Sequence, residues 1–185
     1  KFTGIYSRTD PVRYYPAGDV AANLVGFMGV DEPLAGFERT FAKQLAGKDG
    51  KASYQSGAGY RIPLGRSTLQ KPVDGTDLNT TVDRNLQFSV QRELGAAVDR
   101  ARADSGVAVV TDTHTGEILA LADYPTYDAS DPLLADEDDL GARALNEAFE
   151  PGSVQKVLTV ASLLDAGEVT PRTPIRVPPV LKRQD

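Results

Sequence analysis

The spacing of apolar and polar positions separates a turn-rich first part of the chain from a more regular second part. In the second part Leu86, Val90, Leu94, Ala97, Val98 and Ala101 recur at helical spacing, which predicts a long amphipathic helix with this stripe as its buried face. Asp83 stands where an N-cap is expected, and Ser105-Gly106 is the predicted stop. Two apolar runs follow, Val107 to Val110 and Ile118 to Leu121, on either side of Thr111-Asp112-Thr113-His114-Thr115-Gly116. That arrangement predicts a hairpin, and the unbroken apolar runs predict strands covered on both faces. Just upstream, Asp77 to Val82 alternates like a short strand. Val154 to Ala166, with Val157, Leu158, Val160, Ala161 and Leu164, predicts an apolar helix stopped by Gly167.

Residues 1 to about 76 are punctuated by turn-formers, among them Pro16-Ala17-Gly18, Gly47-Lys48-Asp49-Gly50 and Asp74-Gly75. Asp19 to Phe27 reads as a helix or an irregular run. Gly36 to Leu45 places Phe37, Phe41 and Leu45 at helical spacing, with Gly47 as the stop. Ala52 to Leu69 reads as extended and hairpin-like, with Tyr54, Tyr60, Ile62 and Leu64 among polar residues. Tyr124 to Leu140 reads as a solvated loop. Its acidic run Asp136-Glu137-Asp138-Asp139 lacks the spaced oxygen ligands of a cation site.

Composition narrows the chemistry. The chain has 185 residues, with 26 acidic and 20 basic side chains, a net charge of -6, no Cys, no Trp and one His. Without cysteine there is no disulfide framework, thiolate metal site or cysteine nucleophile. The acidic balance, with no Lys/Arg stripe, argues against a nucleic-acid partner. His114 alone excludes a two-His zinc motif and leaves one possible base for a Ser/His/Asp triad. The longest apolar stretch, Val157 to Leu164, is broken by Thr159 and Ser162 and is far short of the ~20 residues of a spanning helix. A first residue that is Lys rather than Met points to a fragment of something longer.

The useful spacing is Ser153-Val154-Gln155-Lys156. At the start of a helix, residues three apart share a face, so a hydroxyl and an amine can meet. Serine needs a neighbour to take its proton, and lysine does so only when it spends time neutral. A first-turn position near the positive end of the helix dipole disfavours the ammonium, and the same N-terminus offers unpaired N–H groups to an oxyanion. The plainer alternative is that Ser153 is an N-cap.

The surroundings of this pair carry a resemblance. Phe149-Glu150-Pro151-Gly152-Ser153-Val154-Gln155-Lys156-Val157 resembles the active-site segment of the penicillin-binding proteins, whose first motif is Ser-x-x-Lys. Asn79-Thr80-Thr81-Val82-Asp83 with Leu86 and Gln87 is similar to the family's "LTID...Q" helix start. Thr113 to Ala120 with Tyr124-Pro125 is similar to its "TGEILA...P" hairpin, and Asn146 falls where the family has an Asn before the nucleophile segment. Arg13-Tyr14-Tyr15-Pro16-Ala17-Gly18, Gly36-Phe37-Glu38 and Leu45-Ala46-Gly47 resemble the non-catalytic N-terminal module of class B members.

The resemblance implies an α+β fold. Residues 1–76 would form a mixed, irregular pedestal or dimerisation-like module, and 77–185 the first part of a penicillin-binding transpeptidase domain, related to serine β-lactamases. That domain has an antiparallel sheet with flanking helices, the Ser153 helix buried against it. Ser153 would be the nucleophile and Lys156 its base in a peptidoglycan D,D-transpeptidase, with peptidoglycan stem peptides as substrates and β-lactam antibiotics as acylating mimics. No metal or organic cofactor is implied. Partners would include a glycosyltransferase and other cell-wall assembly proteins. The location would be the bacterial cytoplasmic membrane, with one anchor upstream of this chain and the catalytic domain extracytoplasmic.

The family's Ser-x-Asn and Lys-(Thr/Ser)-Gly motifs do not occur in residues 154–185, so the chain alone is expected to be inactive. His114-Thr115-Gly116 lies upstream of Ser153, inside the hairpin match, where a turn explains the glycine. A non-catalytic relative acting as scaffold or β-lactam sensor is the alternative. A serine β-lactamase shares Ser-x-x-Lys but not the upstream module.

Overall fold

The computed structural model describes residues 12–57, 60–63, 66–177 and 179–180. They fall into two compact units that divide between Glu147 and Ala148. Among the described residues no helix is long and apolar enough to cross a membrane. The first unit mixes helices with antiparallel ribbons, which makes the chain α+β. It begins with three short helices, α1 (Ala22–Val25), α2 (Gly36–Thr40) and α3 (Ala42–Leu45). Two exposed ribbons follow, in which β1 (Lys51–Tyr54) pairs with β4 (Ser67–Gln70), and β2 (Ser56–Gly57) with β3 (Tyr60–Arg61). The expected extended segment is therefore present, although Leu64 lies outside the described residues. The regular part is α4 (Arg84–Ala101), the hairpin β5 (Gly106–Thr111) and β6 (Ile118–Tyr124), and a last turn, α5 (Arg143–Asn146).

The long helix starts as its sequence predicts: the Asp83 carboxylate accepts from the Asn85 and Leu86 amides at 2.9 and 2.8 Å. Its buried face, however, is not the apolar stripe. Gln87, Gln91, Gly95 and Val98 are buried, whereas Leu86, Val90 and Leu94 are half-buried and Ala97 and Ala101 are exposed. Hydrogen bonding turns the helix this way, because β6 and the chain near Asp19 present backbone groups that glutamine can satisfy and leucine cannot. Gln87 bonds both backbone groups of Leu121, and Gln91 takes the Ala21 amide while donating to the Asp19 carbonyl. The helix stops at Arg102, held left-handed at φ 53°, with the Ala103 amide returning to the Val98 carbonyl, so Ser105-Gly106 is not the stop. Gly106 instead permits close approach, since a Cβ there would lie 2.6 Å from Val98 Cγ2.

The hairpin forms where expected, with Gly116 at φ 76° closing its turn and a bulge between Val110 and Thr111. It is covered on one face only along β5, where half-buried and exposed residues alternate and Val107 and Val109 meet solvent. A two-stranded ribbon with one helix on it has no second layer to cover those valines. The strand expected over Asp77 to Val82 does not form. That stretch runs irregularly beside β6 and reaches it through the Thr81 hydroxyl, which donates to the Ile118 carbonyl, and the Asp83 amide, which donates to the Leu119 carbonyl.

A small core joins the turn-rich part to the loop after β6. Ala22, Phe27, Tyr127 and Ala129 are buried together, with the Phe27 and Tyr127 rings edge-to-face at 5.8 Å. The Tyr127 hydroxyl donates to the Ala22 carbonyl at 3.0 Å, and burial pushes its pKa up to about 12. Tyr124 to Leu140 is thus partly a core element rather than a wholly solvated loop. Its acidic run forms a 3-10 turn over Glu137–Asp139, and among the described residues no cluster of acidic or histidine side chains is arranged to hold a metal. The helix expected over Gly36 to Leu45 is broken at Phe41 into α2 and α3, and Phe37 and Phe41 stack edge-to-face at 5.7 Å.

The second unit holds a 3-10 turn, Gly152–Val154, and α6 (Gln155–Asp165). Its helix carries no buried residue, contrary to the burial its apolar sequence predicts. Among the described residues of the unit nothing else forms a layer that could cover Val157, Leu158 and Val160, which remain exposed. Thr159 and Ser162 bond back to the Gln155 and Leu158 carbonyls, so the two hydroxyls that interrupt the apolar run are satisfied within the helix.

Candidate active site

Ser153 is the middle residue of the 3-10 turn, and Lys156 is the second residue of α6. In a 3-10 turn positions three apart superpose along the axis, so the change from 3-10 to α keeps the two side chains on one side of the turn. Gly152 makes the turn possible. Its φ is 52°, a conformation that costs a residue with a Cβ about 1–2 kcal/mol, while a Cβ there would meet nothing within 4 Å. The requirement is therefore conformational rather than spatial. The Val154 amide closes the turn on the Pro151 carbonyl at 3.0 Å.

Both side chains are exposed. Among the described residues no hydrogen bond joins the Ser153 hydroxyl to Lys156, and the hydroxyl caps no backbone amide of α6. Ser153 is therefore not an N-cap. What the turn supplies is a free hydroxyl and an amine one turn on, while the amide of Gln155, the first residue of α6, is already bonded within the turn to the Gly152 carbonyl.

Elsewhere the structure joins sequence segments in pairs. Arg13 of the Arg-x-Tyr-Pro string donates through Nε to Glu38 of Gly-Phe-Glu at 2.6 Å, and Glu38 is buried. Gln87 of the helix-start segment holds Leu121, next to the Thr-Gly-Glu-Ile-Leu-Ala segment. In the hairpin turn the Asp112 carboxylate accepts from the Thr115 and His114 amides, and these two bonds hold its pKa below the usual carboxylate value. His114 itself is exposed at the tip of the turn, so the ring is a surface group. Asn146 ends α5 and is exposed.

A cleft of about 760 Å³ is lined by residues between Arg13 and Arg84, among them Leu24, Phe37, Glu38 and Leu78, and contains neither Ser153 nor Lys156. Its buried acid, Glu38, is paired with Arg13. Sequence reasoning missed Asp123, a buried carboxyl group on β6, because a single acid inside an apolar run carries no spacing signal.

Comparison with known proteins places these observations. The penicillin binding protein transpeptidase domain matches residues 106–185. The chain is 35% identical over 181 residues to the penicillin-binding protein PbpB of Mycolicibacterium smegmatis, covering 96% of this chain and 28% of PbpB. It is 35% identical over 170 residues to the peptidoglycan D,D-transpeptidase FtsI of Escherichia coli, covering 91% of this chain and 29% of FtsI. The chain thus spans less than a third of these relatives. The apo crystal structure of penicillin binding protein 3 from Mycobacterium tuberculosis superposes with a TM-score of 0.71 at 34% identity, over 90% of this chain and 34% of that one. With its α+β fold, its Ser-x-x-Lys turn and these matches, residues 106–185 belong to the penicillin binding protein transpeptidase domain family, and the chain is a homologue of class B, FtsI- and PbpB-type penicillin-binding proteins.

Proposed function

We propose that this chain carries the nucleophile segment of a peptidoglycan D,D-transpeptidase. The observation that carries the reading is the free Ser153 hydroxyl on a 3-10 turn, one turn before Lys156, inside the region that matches the transpeptidase domain. In this reading Lys156 Nζ, in its neutral form, takes the proton of Ser153 Oγ as the oxygen attacks the penultimate D-Ala carbonyl of a donor stem peptide. Backbone N–H groups close to Ser153 hold the oxyanion. The carbonyl–nitrogen bond breaks, terminal D-Ala leaves with a proton returned by Lys156, and an ester to Ser153 remains. An amine of a neighbouring stem peptide then attacks that ester, forms the cross-link and restores the serine. A β-lactam follows the first half of this course and stops at the ester.

Residues 1–76 act as the non-catalytic module on which cell-wall assembly partners, among them a glycosyltransferase, dock, and 77–185 form the first part of the catalytic domain. The whole protein works at the outer face of the bacterial cytoplasmic membrane, held by an anchor upstream of this chain. The chain alone is inactive, because the Ser-x-Asn and Lys-(Thr/Ser)-Gly groups that bind and align the substrate are absent from residues 154–185. Incubation of the complete protein with a fluorescent penicillin tests the reading. Covalent labelling lost in Ser153→Ala is expected; no labelling, or labelling that persists in Ser153→Ala, refutes it.

A further inference from the structure

Asp123 is a carboxyl group for which the proposed chemistry has no use. It lies on β6 and is 2% exposed. One oxygen, Oδ1, accepts the Ala144 amide of α5 at 3.0 Å, while Oδ2 has no hydrogen-bond partner. An ionised carboxylate has about four acceptor sites, so this surrounding suits a neutral acid better than an anion.

The nearby charges do not reverse that preference. Arg143 of α5 acts on Asp123 from a distance, but its guanidinium is engaged elsewhere. It donates to Asp139 Oδ1 at 2.6 Å and to the Asp138 carbonyl at 3.2 Å, and its Nε stands 3.6 Å from Glu147. Glu147 adds negative charge. The other elements against β6 bring no cation: β5 sets Val107 opposite Asp123, α4 turns Gln87, Gln91, Gly95 and Val98 inward, and α1 is uncharged. One residue along the strand, the Tyr124 hydroxyl is bonded to Asp99, a further acid.

We propose that Asp123 and α5 form a protonation-dependent latch, in which the neutral carboxyl keeps α5 docked on the hairpin and ionisation of Asp123 releases it. The direct polar links between Asp123 and α5 are backbone amides, those of Ala144 and Arg143, and withdrawal of α5 would open the orphan Oδ2 to water. Burial, outweighing the Ala144 and Arg143 amide bonds, raises the pKa of Asp123 in the folded state. Between the ordinary carboxylate value and that raised value the docked form binds a proton that the open form releases. Docking is therefore favoured on the acid side and weakens as pH rises through this window.

The latch is independent of any chemistry at Ser153, so it stands or falls separately from the transpeptidase reading. Hydrogen exchange of the intact protein, corrected for the intrinsic pH dependence of exchange, tests it. Protection of residues 142–147 is expected to fall by up to about tenfold per pH unit within the window, as release of one proton requires, while α4 stays protected. In Asp123→Asn the protection of residues 142–147 should be independent of pH. A wild-type profile without pH dependence at residues 142–147 overturns the latch, and so does an equal fall in Asp123→Asn. If that variant loses protection in α4 as well, it has misfolded, and the wild-type profile alone decides.

Discussion

The side chain of Gln87 pairs with the backbone of Leu121 as a neighbouring strand would. Its Nε2 donates to the Leu121 carbonyl at 2.8 Å and its Oε1 accepts the Leu121 amide at 2.8 Å, both in a buried setting. A primary amide is the one side-chain group that offers a donor and an acceptor with the spacing of a peptide unit. β5 already occupies one edge of β6, and Gln87 satisfies the other edge at its centre, so the helix seals the ribbon against further pairing there.

Replacing Gln87 with Leu should therefore destabilise the protein despite the greater hydrophobicity. Two buried backbone groups would lose their partners, at about 1–3 kcal/mol each before relaxation. Gln87→Glu keeps an acceptor for the Leu121 amide but sets a carboxylate against the Leu121 carbonyl, and should fare no better. Urea unfolding measures both. A Gln87→Leu midpoint equal to wild type would show that the pairing contributes nothing.

Gly95 should resist even alanine. Alanine is favoured over glycine within a helix by about 1 kcal/mol, yet a Cβ at Gly95 would lie 2.9 Å from Tyr124 Cε2 and 3.0 Å from Cδ2. The ring has little room to retreat, because its hydroxyl is bonded to Asp99 at 3.2 Å. Overpacking of this kind costs about 1–3 kcal/mol, so Gly95→Ala should be net destabilising. A double-mutant cycle settles the cause: in a Tyr124→Ala background the same change should become neutral or stabilising.

Asn23 stitches the turn-rich part to the loop after β6. Its Nδ2 donates to the Asp139 and Gly141 carbonyls at 2.8 and 2.7 Å, and its Oδ1 accepts from the Thr126 hydroxyl at 2.8 Å. Asn23→Asp removes both donors and turns a buried carboxylate toward two carbonyls, a change of about 3 kcal/mol or more at neutral pH. The loss should shrink below the carboxylate pKa, where the neutral acid regains one donor. Thermal unfolding of the variant at pH 7 and at about pH 4 tests both the size and the sign, and a loss that does not depend on pH contradicts the bonding described.

The start of α4 at Asp83, the hairpin around Gly116 and the spacing of Ser153 and Lys156 were legible because each is a local pattern. The buried face of α4 was not. Gln87 and Gln91 face inward to satisfy backbone groups on segments distant in sequence, and polarity alone assigns them to solvent. The pairing of Arg13 with Glu38 across 25 residues was equally hidden, although each residue stood out in its own segment. Asp77 to Val82 alternates like a strand, but Thr81 and Asp83 reach β6 with one side-chain bond and one backbone bond, too few for a ladder. The apolar sequence of α6 predicts burial, which depends on a second layer that the described residues of its own unit do not contain.

Lys156 separates a catalytic role from a structural one cleanly. It is exposed and, among the described residues, forms no ion pair or side-chain hydrogen bond, so Lys156→Ala should leave the unfolding temperature of the complete protein unchanged. If the amine is the base for Ser153, the same substitution should slow acylation by a penicillin by about 10²–10⁴-fold, the usual contribution of a positioned base. Lys156→Arg distinguishes base from counter-charge, because guanidinium keeps the positive charge but does not deprotonate near neutral pH. Acylation lost in both variants, with Ser153 present and the fold intact, is the expected outcome. Acylation retained in Lys156→Arg would leave the lysine an electrostatic role only, and acylation retained in Lys156→Ala would move the base to another residue.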